Sequence, residues 1–592
     1  MRVFTKINLP VSYRVTWLNG GLQGAACLQI HDAAKDGDYD RLQQLLAGGC
    51  PVDTFDEKGM NPLAYACQSP RASLGILQLL VNSGANPNRS DLTDSRRPIG
   101  MAAAAGSIPK AQFLLDAGAD IRYESKGKYT IMVHCIYGLY DSEKLTPMIQ
   151  FLHEKGASLD TESEYGESPL SVASRFGRFD AVKCLMERGA DKSVLGWNAL
   201  IEALIFGSNE EFQWELDRTT KLHHRDRCGR SVWHLAAFGP YLEKAKLLYE
   251  RGVDINAPAA CGGSTALILC AERGNIEMLR WLISIGADIE AMDESGATAL
   301  MAATRSSQVD CVGILLEAGA NPRHEDKYGD KAISEASHAK IIRMLEDVGE
   351  DISELSTKAK RELLGLKEQD RIDCTDEDFE AACNPRFGLS NPERMNVPFW
   401  EAMIRSGCNA YRATLQFDPN EKKSSPIWCF DRFGMSFTKL PDGRFVQIGG
   451  EHEDYYDPDF YIYNDVIVHD TNGKFKIYGY PKNVFPPTDF HSATLVDEFI
   501  YIIGGLGYAG TRRYGETPVY RLSIKDWSMH VVPSRGDNPG WIYQHRCRVL
   551  DEARLLVSGG EICKKKKGKE THEENTSEYE LDLRSREWTW KS

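Results

Sequence analysis

The sequence predicts a multidomain chain in which an all-α solenoid of short helix pairs is followed by an all-β domain of repeated strand units. Three observations carry this. Glycine-centred turns recur at Gly84, Gly118, Gly156, Gly189, Gly252, Gly286 and Gly319, in steps of 34, 38, 33, 63, 34 and 33 residues. Paired glycines recur at Gly449-Gly450, Gly504-Gly505 and Gly559-Gly560, each pair 55 residues after the last. Near Pro398 the texture changes from alanine-rich helical periodicity to aromatic and β-branched runs, the residues that suit strands. A fixed period in the thirties is the signature of units that cannot bury a face alone and stack to form a continuous core.

With 592 residues the chain exceeds one ordinary core, so at least two units are expected. A formal net charge of -15 argues against nucleic acid as the main partner, because phosphate-binding surfaces are basic. The 15 cysteines are odd in number, dispersed and without a repeated Cys-x-x-Cys, which reads as reduced, mostly buried thiols rather than a disulfide framework or zinc fingers. The first ten residues hold no apolar run of signal-peptide length, and no later stretch reaches the roughly 18 apolar residues of a membrane span. The expectation is a soluble cytoplasmic protein with no membrane partner.

Residues 1–26 alternate loosely through Val11, Tyr13, Val15 and Trp17 and read as a short strand or cap. The repeat array is placed at 27–350. Its logic is clearest around Gly286. Met278, Trp281 and Leu282 give the preceding helix an apolar face, and glycine ends that helix in the left-handed conformation. Asp293-Glu294-Ser295-Gly296 supplies a turn, and Ala297-Thr298-Ala299-Leu300 starts the next helix. The 63-residue step is two units with a degenerate turn near Thr219, and the 38-residue step places an insertion, read as a longer loop, at Tyr137 to Lys144. About ten units result, with a terminal turn at Gly349-Glu350-Asp351.

Asn61-Pro62-Leu63-Ala64-Tyr65-Ala66, Glu167-Ser168-Pro169-Leu170, Val232-Trp233-His234-Leu235-Ala236-Ala237 and Ser264-Thr265-Ala266-Leu267 resemble the ankyrin repeat. None keeps the whole Thr-Pro-Leu-His signature, while period, turns and helix starts agree over about 320 residues. The resemblance implies protein binding through turn tips and the concave helix surface. On that basis Lys58, Tyr165, Asp226, Asp293 and Tyr328 at or beside the tips, and Arg175, Phe176, Arg273 and Arg305 after first helices, are the candidate partner contacts, aromatic and arginine side chains being the ones that dominate interface energies.

Residues 351–397 read as a capping helix over Thr357 to Leu364 and a connector, with a helix start at Thr375-Asp376-Glu377-Asp378. In 398–592, strands Arg444 to Ile448, Phe499 to Ile503 and Arg554 to Ser558 precede the glycine pairs, and Tyr520, Tyr579, Trp527 and Trp588 follow the last two. This resembles the kelch motif, which implies four-stranded propeller blades. Three units are clear, and residues 398–440 around Trp400, Tyr411 and Trp428 are the place for an atypical fourth. A homo-oligomer is the other route by which such a unit would close.

No Ser/His/Asp order or paired-carboxylate spacing stands out, so the favoured reading is a non-enzymatic interaction adaptor or scaffold, the alternative a kelch-fold enzyme or small-ligand or metal-binding protein. The chemistry the alternative needs sits at Glu451-His452-Glu453-Asp454-Tyr455-Tyr456-Asp457-Pro458-Asp459, with five carboxylates and a histidine in nine residues. Glu453 and Asp457 fit the first two positions of an iron-binding Glu-x-x-x-Asp-x-x-x-His pattern of some kelch-type specifier proteins, and Tyr461 stands in the third. The loop therefore reads either as a divalent-cation site at Glu453 and Asp457 or as a solvated, partner-binding loop of Glu451, His452, Tyr455 and Tyr456; no other cofactor is expected. Arg512, Arg513, Trp541, His545 and Arg546, with Asp489 and His491, are expected to face the same pocket if the strand units converge, the alternative for both histidines being a structural place at strand edges. The lysine run Lys564 to Lys567 with Lys569 reads as a solvated loop between strands.

Overall fold

A computed structural model describes residues 24–591, except 57, 94–95, 220, 353–354, 368, 370, 418–425, 453–459, 471 and 567; the side chains of 24–28 and 415 are likewise not described. The expected N-terminal strand or cap lies almost wholly outside these residues. Two compact units divide the chain: residues up to Asn321 with Glu325–Gly329, and Pro322–His324 with Asp330 onward.

Ten helix pairs run from Gly24 to Asp347 among the described residues, nine in the first unit and the tenth, Ala332–Glu335 with Ala339–Asp347, in the second. Sequence sets the start of each first helix. Asn61 caps Pro62–Gln68 by accepting from Ala64 N at 2.8 Å, and Pro62, Pro98 and Pro169 occupy the first helical position, where no N–H is needed. Units are stitched at three levels. Lys110 Nζ donates to Ala66 O at 2.8 Å and Ser69 O at 2.6 Å, and Lys244 Nζ to Leu204 O at 2.8 Å and Gly207 O at 2.7 Å, each satisfying carbonyls at the end of the preceding unit's first helix. Asp120 N donates to Asn88 Oδ1 at 2.7 Å and Asp288 N to Asn256 Oδ1 at 2.9 Å, which explains the Asn and Asp residues that follow the ladder glycines. At the tips, Glu294 N donates to Gly262 O at 2.9 Å and Lys327 N to Ser295 O at 3.0 Å.

Two departures from regularity were read differently from the sequence. The insertion in the 38-residue step lengthens the second helix of its unit, Ser142–Glu154, to 13 residues where its neighbours have 9; the connection Leu139–Asp141 stays short. The degenerate turn at Thr219 has extended backbone, φ -94°, instead of the left-handed glycine, and ends helix Asn209–Arg218. Here units five and seven touch directly: Arg230, paired with Asp226 at 2.7 Å in a buried salt bridge, reaches Ser174 O at 3.1 Å, and a Cβ on Gly177 would stand 2.5 Å from Phe238.

The second unit is β-rich. Its first sheet takes β1 (Glu393–Arg394), β2 (Ser436–Lys439) and β3 (Phe445–Ile448) and, after a short ribbon of β4 (Glu451–His452) and β5 (Tyr461–Ile462), β6 (Val466–His469) and β7 (Phe475–Gly479), in the order β1-β7-β6-β3-β2. The second is a meander of β8 (Ser492–Val496), β9 (Phe499–Ile503), β10 (Val519–Ser523) and β11 (Met529–Val531). The third combines β12 (Arg535–Gly536) with β14 (Arg546–Asp551), β15 (Arg554–Ser558), β18 (Glu578–Asp582) and β19 (Glu587–Trp590), and β13 (Trp541–Tyr543), β16 (Glu561–Lys566) and β17 (Lys569–Glu574) form a separate sheet. The three main sheets stack face to face. Val446, Ile448, Ile500, Ile502 and Trp527 fill the space between the first two, and Ile503, Ile542, Leu555, Val557 and Trp588 that between the last two. Their leading strands lie side by side: Ser436 Oγ meets His491 Nε2 at 2.9 Å, and Ser492 Oγ meets His545 Nε2 at 2.8 Å.

The expected fourth strand unit at 398–440 is corrected. Residues Pro398–Ser406 and Ala410–Phe417 are helices, because Phe399, Trp400, Met403 and Ile404 recur at helical spacing and bury one face. Trp400 stacks on Trp428 at 5.0 Å, and Trp428 Nε1 donates to Asp465 Oδ2 at 2.9 Å. Beyond this, the capping helix is Thr357–Leu363, and Thr375 starts helix Asp376–Ala382 through a capping box with Asp378. No closed ring of sheets is seen among the described residues.

Candidate functional site

Two regions bring together side chains with binding chemistry, one in each unit. In the repeat array, the tips and first-helix ends of units four and five build an aromatic strip. Tyr165 stacks on Tyr129 with ring centroids 6.1 Å apart, Tyr129 meets Tyr137 edge-on at 6.2 Å, and Tyr137 meets Phe176 edge-on at 5.5 Å. Arg175 lies 5.8 Å over Tyr137 and 5.4 Å over Phe176 and pairs with Glu167 at 2.5 Å, which also accepts from Tyr137 OH at 2.8 Å. Tyr165 and the neighbouring Tyr140 are 75% and 85% exposed.

The other sequence-predicted contacts of the array are spread along it. Lys58 and Tyr328 are exposed at their tips, and Arg305 is exposed at a helix end. Asp293 is engaged by its own turn, accepting from Ser295 N at 2.8 Å and Ala297 N at 2.9 Å. Arg273 is half-buried, 4.7 Å over Phe238.

In the β-rich unit, an open cavity of about 770 Å³ is lined by Glu451 and His452 of β4, Asp489 and Arg512 of the loops flanking β8–β10, and Glu570 and His572 of β17. Asp489 is buried. Its Oδ1 accepts from Gly507 N at 2.6 Å, and among the described residues no N–H or O–H reaches Oδ2. Burial accordingly raises the Asp489 pKa above its ordinary value, against the lowering effects of Gly507, Glu451 and Arg512. Arg512 is anchored by Leu506 O at 3.0 Å and Gly507 O at 2.9 Å and pairs with Glu570, which also accepts from Tyr514 OH at 2.6 Å. Of the residues expected to face one pocket, Glu451, His452, Asp489 and Arg512 lie together on the wall of this cavity.

Other predicted residues go elsewhere. Arg513 and Trp541 line a second cavity of about 610 Å³. His491 and His545 are buried between sheets in the serine hydrogen bonds given above, and burial lowers their pKa values to about 3 and about 4. Glu453, Asp457, Tyr455 and Tyr456 lie outside the described residues. The lysine run is corrected from loop to hairpin: Lys564–Lys566 belong to β16 and Lys569 to β17, with Lys564 2.8 Å from Glu573.

Sequence reasoning missed Cys563, Glu570 and His572, whose ligand atoms lie within 4.8 Å of one another. Nothing in their linear spacing marks them; the signal was the alternation of Glu570, His572 and Glu574 along a strand, which becomes informative once the hairpin register is known.

The family described as "Ankyrin repeats (3 copies)" matches residues 30–125, 99–194, 200–293 and 233–326. Relatives include the Ankyrin repeat and KH domain-containing protein mask-1 of Caenorhabditis elegans, 28% identical over 277 residues, 41% of this chain and 10% of that protein. The E3 ubiquitin-protein ligase KEG of Arabidopsis thaliana is 26% identical over 350 residues, 53% of this chain and 21% of that protein. The B-cell lymphoma 3 protein homolog of Mus musculus is 28% identical over 194 residues, 32% of this chain and 43% of that protein. The chain thus spans less than half the length of each. No helix among the described residues is long and apolar enough to cross a membrane. The family match, the relatives and the stacked helix pairs agree: residues 30–194 and 200–326 are ankyrin repeats.

Proposed function

We propose that the chain is a non-enzymatic cytoplasmic adaptor that binds a protein partner through its ankyrin array, with the three meander sheets serving as kelch-like, propeller-type blades that present a second binding surface. Ankyrin-repeat relatives point to a protein-interaction role. The observation that carries the reading is the strip Tyr165, Tyr129, Tyr137, Phe176 and Arg175: large rings, mutually braced, with an arginine held over them and little side-chain freedom left to lose on binding. Free thiols from Cys50 to Cys563 suit a reducing compartment. A partner captured by the intact chain is expected to be lost by a Tyr165→Ala, Tyr140→Ala double variant, with affinity falling about 30-fold for a hot-spot loss near 2 kcal/mol. Both side chains are exposed, so the circular dichroism spectrum should not change. Equal capture by wild type, the double variant and an exposed-helix control, Lys183→Ala, would remove the strip from the interface.

A second reading, a small-ligand site, is favoured by one observation: the buried Asp489 carboxyl, its pKa raised by burial, lies with Glu451 on the wall of the 770 Å³ cavity. Any cation at Glu453 and Asp457 belongs to this reading. Asp489→Asn should abolish whatever thermal stabilisation amine ligands or divalent cations give the wild type; no stabilisation by any of them would end it.

A further inference from the structure

The hairpin β16–β17 places Cys563 directly opposite His572 and Lys565 opposite Glu570, so alternation puts Cys563, Glu570 and His572 on one face of the sheet. Tyr543 of β13, opposite Glu561, shares that face. Its single hydroxyl proton goes to Glu561 Oε2 at 2.5 Å, because a carboxylate can only accept. The phenol oxygen therefore accepts from His572 Nδ1–H at 2.8 Å, which in the neutral ring leaves the lone pair on Nε2. Nε2 stands 3.4 Å from Glu570 Oε1, and the Cys563 thiol closes the group. Three electron-pair donors, a nitrogen, an oxygen and a sulfur, face one another with no proton donor of their own between the nitrogen and the oxygen.

We propose that Cys563, Glu570 and His572 form a binding site for a divalent transition metal of the zinc class. In a tetrahedral site with metal–ligand bonds of 2.0–2.3 Å, ligand atoms are about 3.3–3.8 Å apart; the present separations, 3.4 Å for one pair and all within 4.8 Å, require only side-chain rotation. Mixed imidazole, thiolate and carboxylate donors select zinc over magnesium or calcium, which take oxygen. Tyr543 and Glu561 supply the outer hydrogen bonds that orient a metal-bound histidine. Three protein ligands leave a coordination position for water or a ligand, and Glu570 and His572 line the 770 Å³ cavity. Arg512 opposes the cation, yet it is already neutralised by Glu570 and held by two carbonyls; the cavity wall also carries Asp431, Glu451 and Asp489.

The test is a cobalt(II) titration of the full-length reduced protein after treatment with chelator. Binding of one equivalent with a near-ultraviolet thiolate-to-cobalt charge-transfer band, displaced by zinc, is expected. Cys563→Ser should abolish the band, His572→Gln should weaken binding at least 10-fold, and Tyr543→Phe, which only releases the histidine, should weaken it about 10–100-fold. His572 is exposed, so its variant keeps the test valid if Cys563→Ser fails to fold. Absence of the band, its survival in the Cys563 variant, or unweakened cobalt binding by the His572 variant overturns the assignment; an imidazolium–Glu570 ion pair would then account for the geometry.

Discussion

At the residue scale, the two glycine rhythms answer different physical demands. Gly286 has φ 89°, and a Cβ built there would meet no atom within 4 Å, so the requirement is conformational alone. Gly504 has φ 69°, and its Cβ would lie 2.3 Å from Ile542 O, so there a side chain is excluded by the backbone of the next sheet. Gly286→Ala should therefore cost about 1–2 kcal/mol, the penalty of an L residue in the left-handed region, and Gly286→Asn less. Urea unfolding of the helical signal by circular dichroism measures both; equal losses for Ala and Asn would point to packing rather than backbone. A similar economy governs Arg432, fully buried with its guanidinium paired with Asp465, donating to Cys429 O at 2.7 Å and lying 3.5 Å over the Tyr463 ring. It is part of the scaffold that holds Trp428, not part of a site.

At the element scale, what was legible depended on whether a local rule specified the feature. The ladder glycines, the proline and Asn/Ser/Thr helix starts and the strands before each glycine pair are each dictated by a backbone conformation, so one residue type reveals them. The helices at 398–417 follow no such rule: tryptophan and tyrosine suit strands as well, and burial of Phe399, Trp400, Met403 and Ile404 along one helical face decides the outcome. The cluster of Cys563, Glu570 and His572 was invisible because hairpin register, not spacing, assembles it. Repetition between elements also has a pH consequence. His491 and His545 bridge successive sheets, and with the buried His469 their pKa values fall from 6.5 to about 3, about 4 and about 3. Because the folded state holds these rings neutral while the unfolded chain takes up protons below about 6.5, stability is full above that pH and declines as pH falls toward 3–4. Each histidine contributes about 1.4 kcal/mol per pH unit inside the window. His545→Gln should lower the slope of stability against pH between 6 and 4 by about one proton. An unchanged slope in denaturant melts across that range would mean that His545 is already charged in the fold.

At the scale of the whole molecule, the end of the ankyrin rhythm and the end of the first compact unit do not coincide. The glycine ladder runs on to Gly349, which is why the sequence places the boundary at 350, yet the tenth helix pair groups with the β-rich unit. Its helix Ala339–Asp347 carries Glu346, 2.6 Å from Lys439 on β2, and its end is tied by Arg323 to the buried Glu350 at 3.5 Å. The helix also buries Ile341, Ile342 and Leu345, an apolar face that adjoins the following helix Thr357–Leu363. Cutting the chain by its repeat period would strip this face from the second unit, at about 1.5–3 kcal/mol for each large aliphatic side chain whose burial is lost. A fragment spanning 322–592 should therefore unfold cooperatively, and one spanning 351–592 at a clearly lower denaturant midpoint or with non-coincident fluorescence and circular dichroism transitions. Should the two fragments melt alike, the tenth pair would be a terminal ankyrin unit by folding as well as by sequence, and the boundary would return to Gly349.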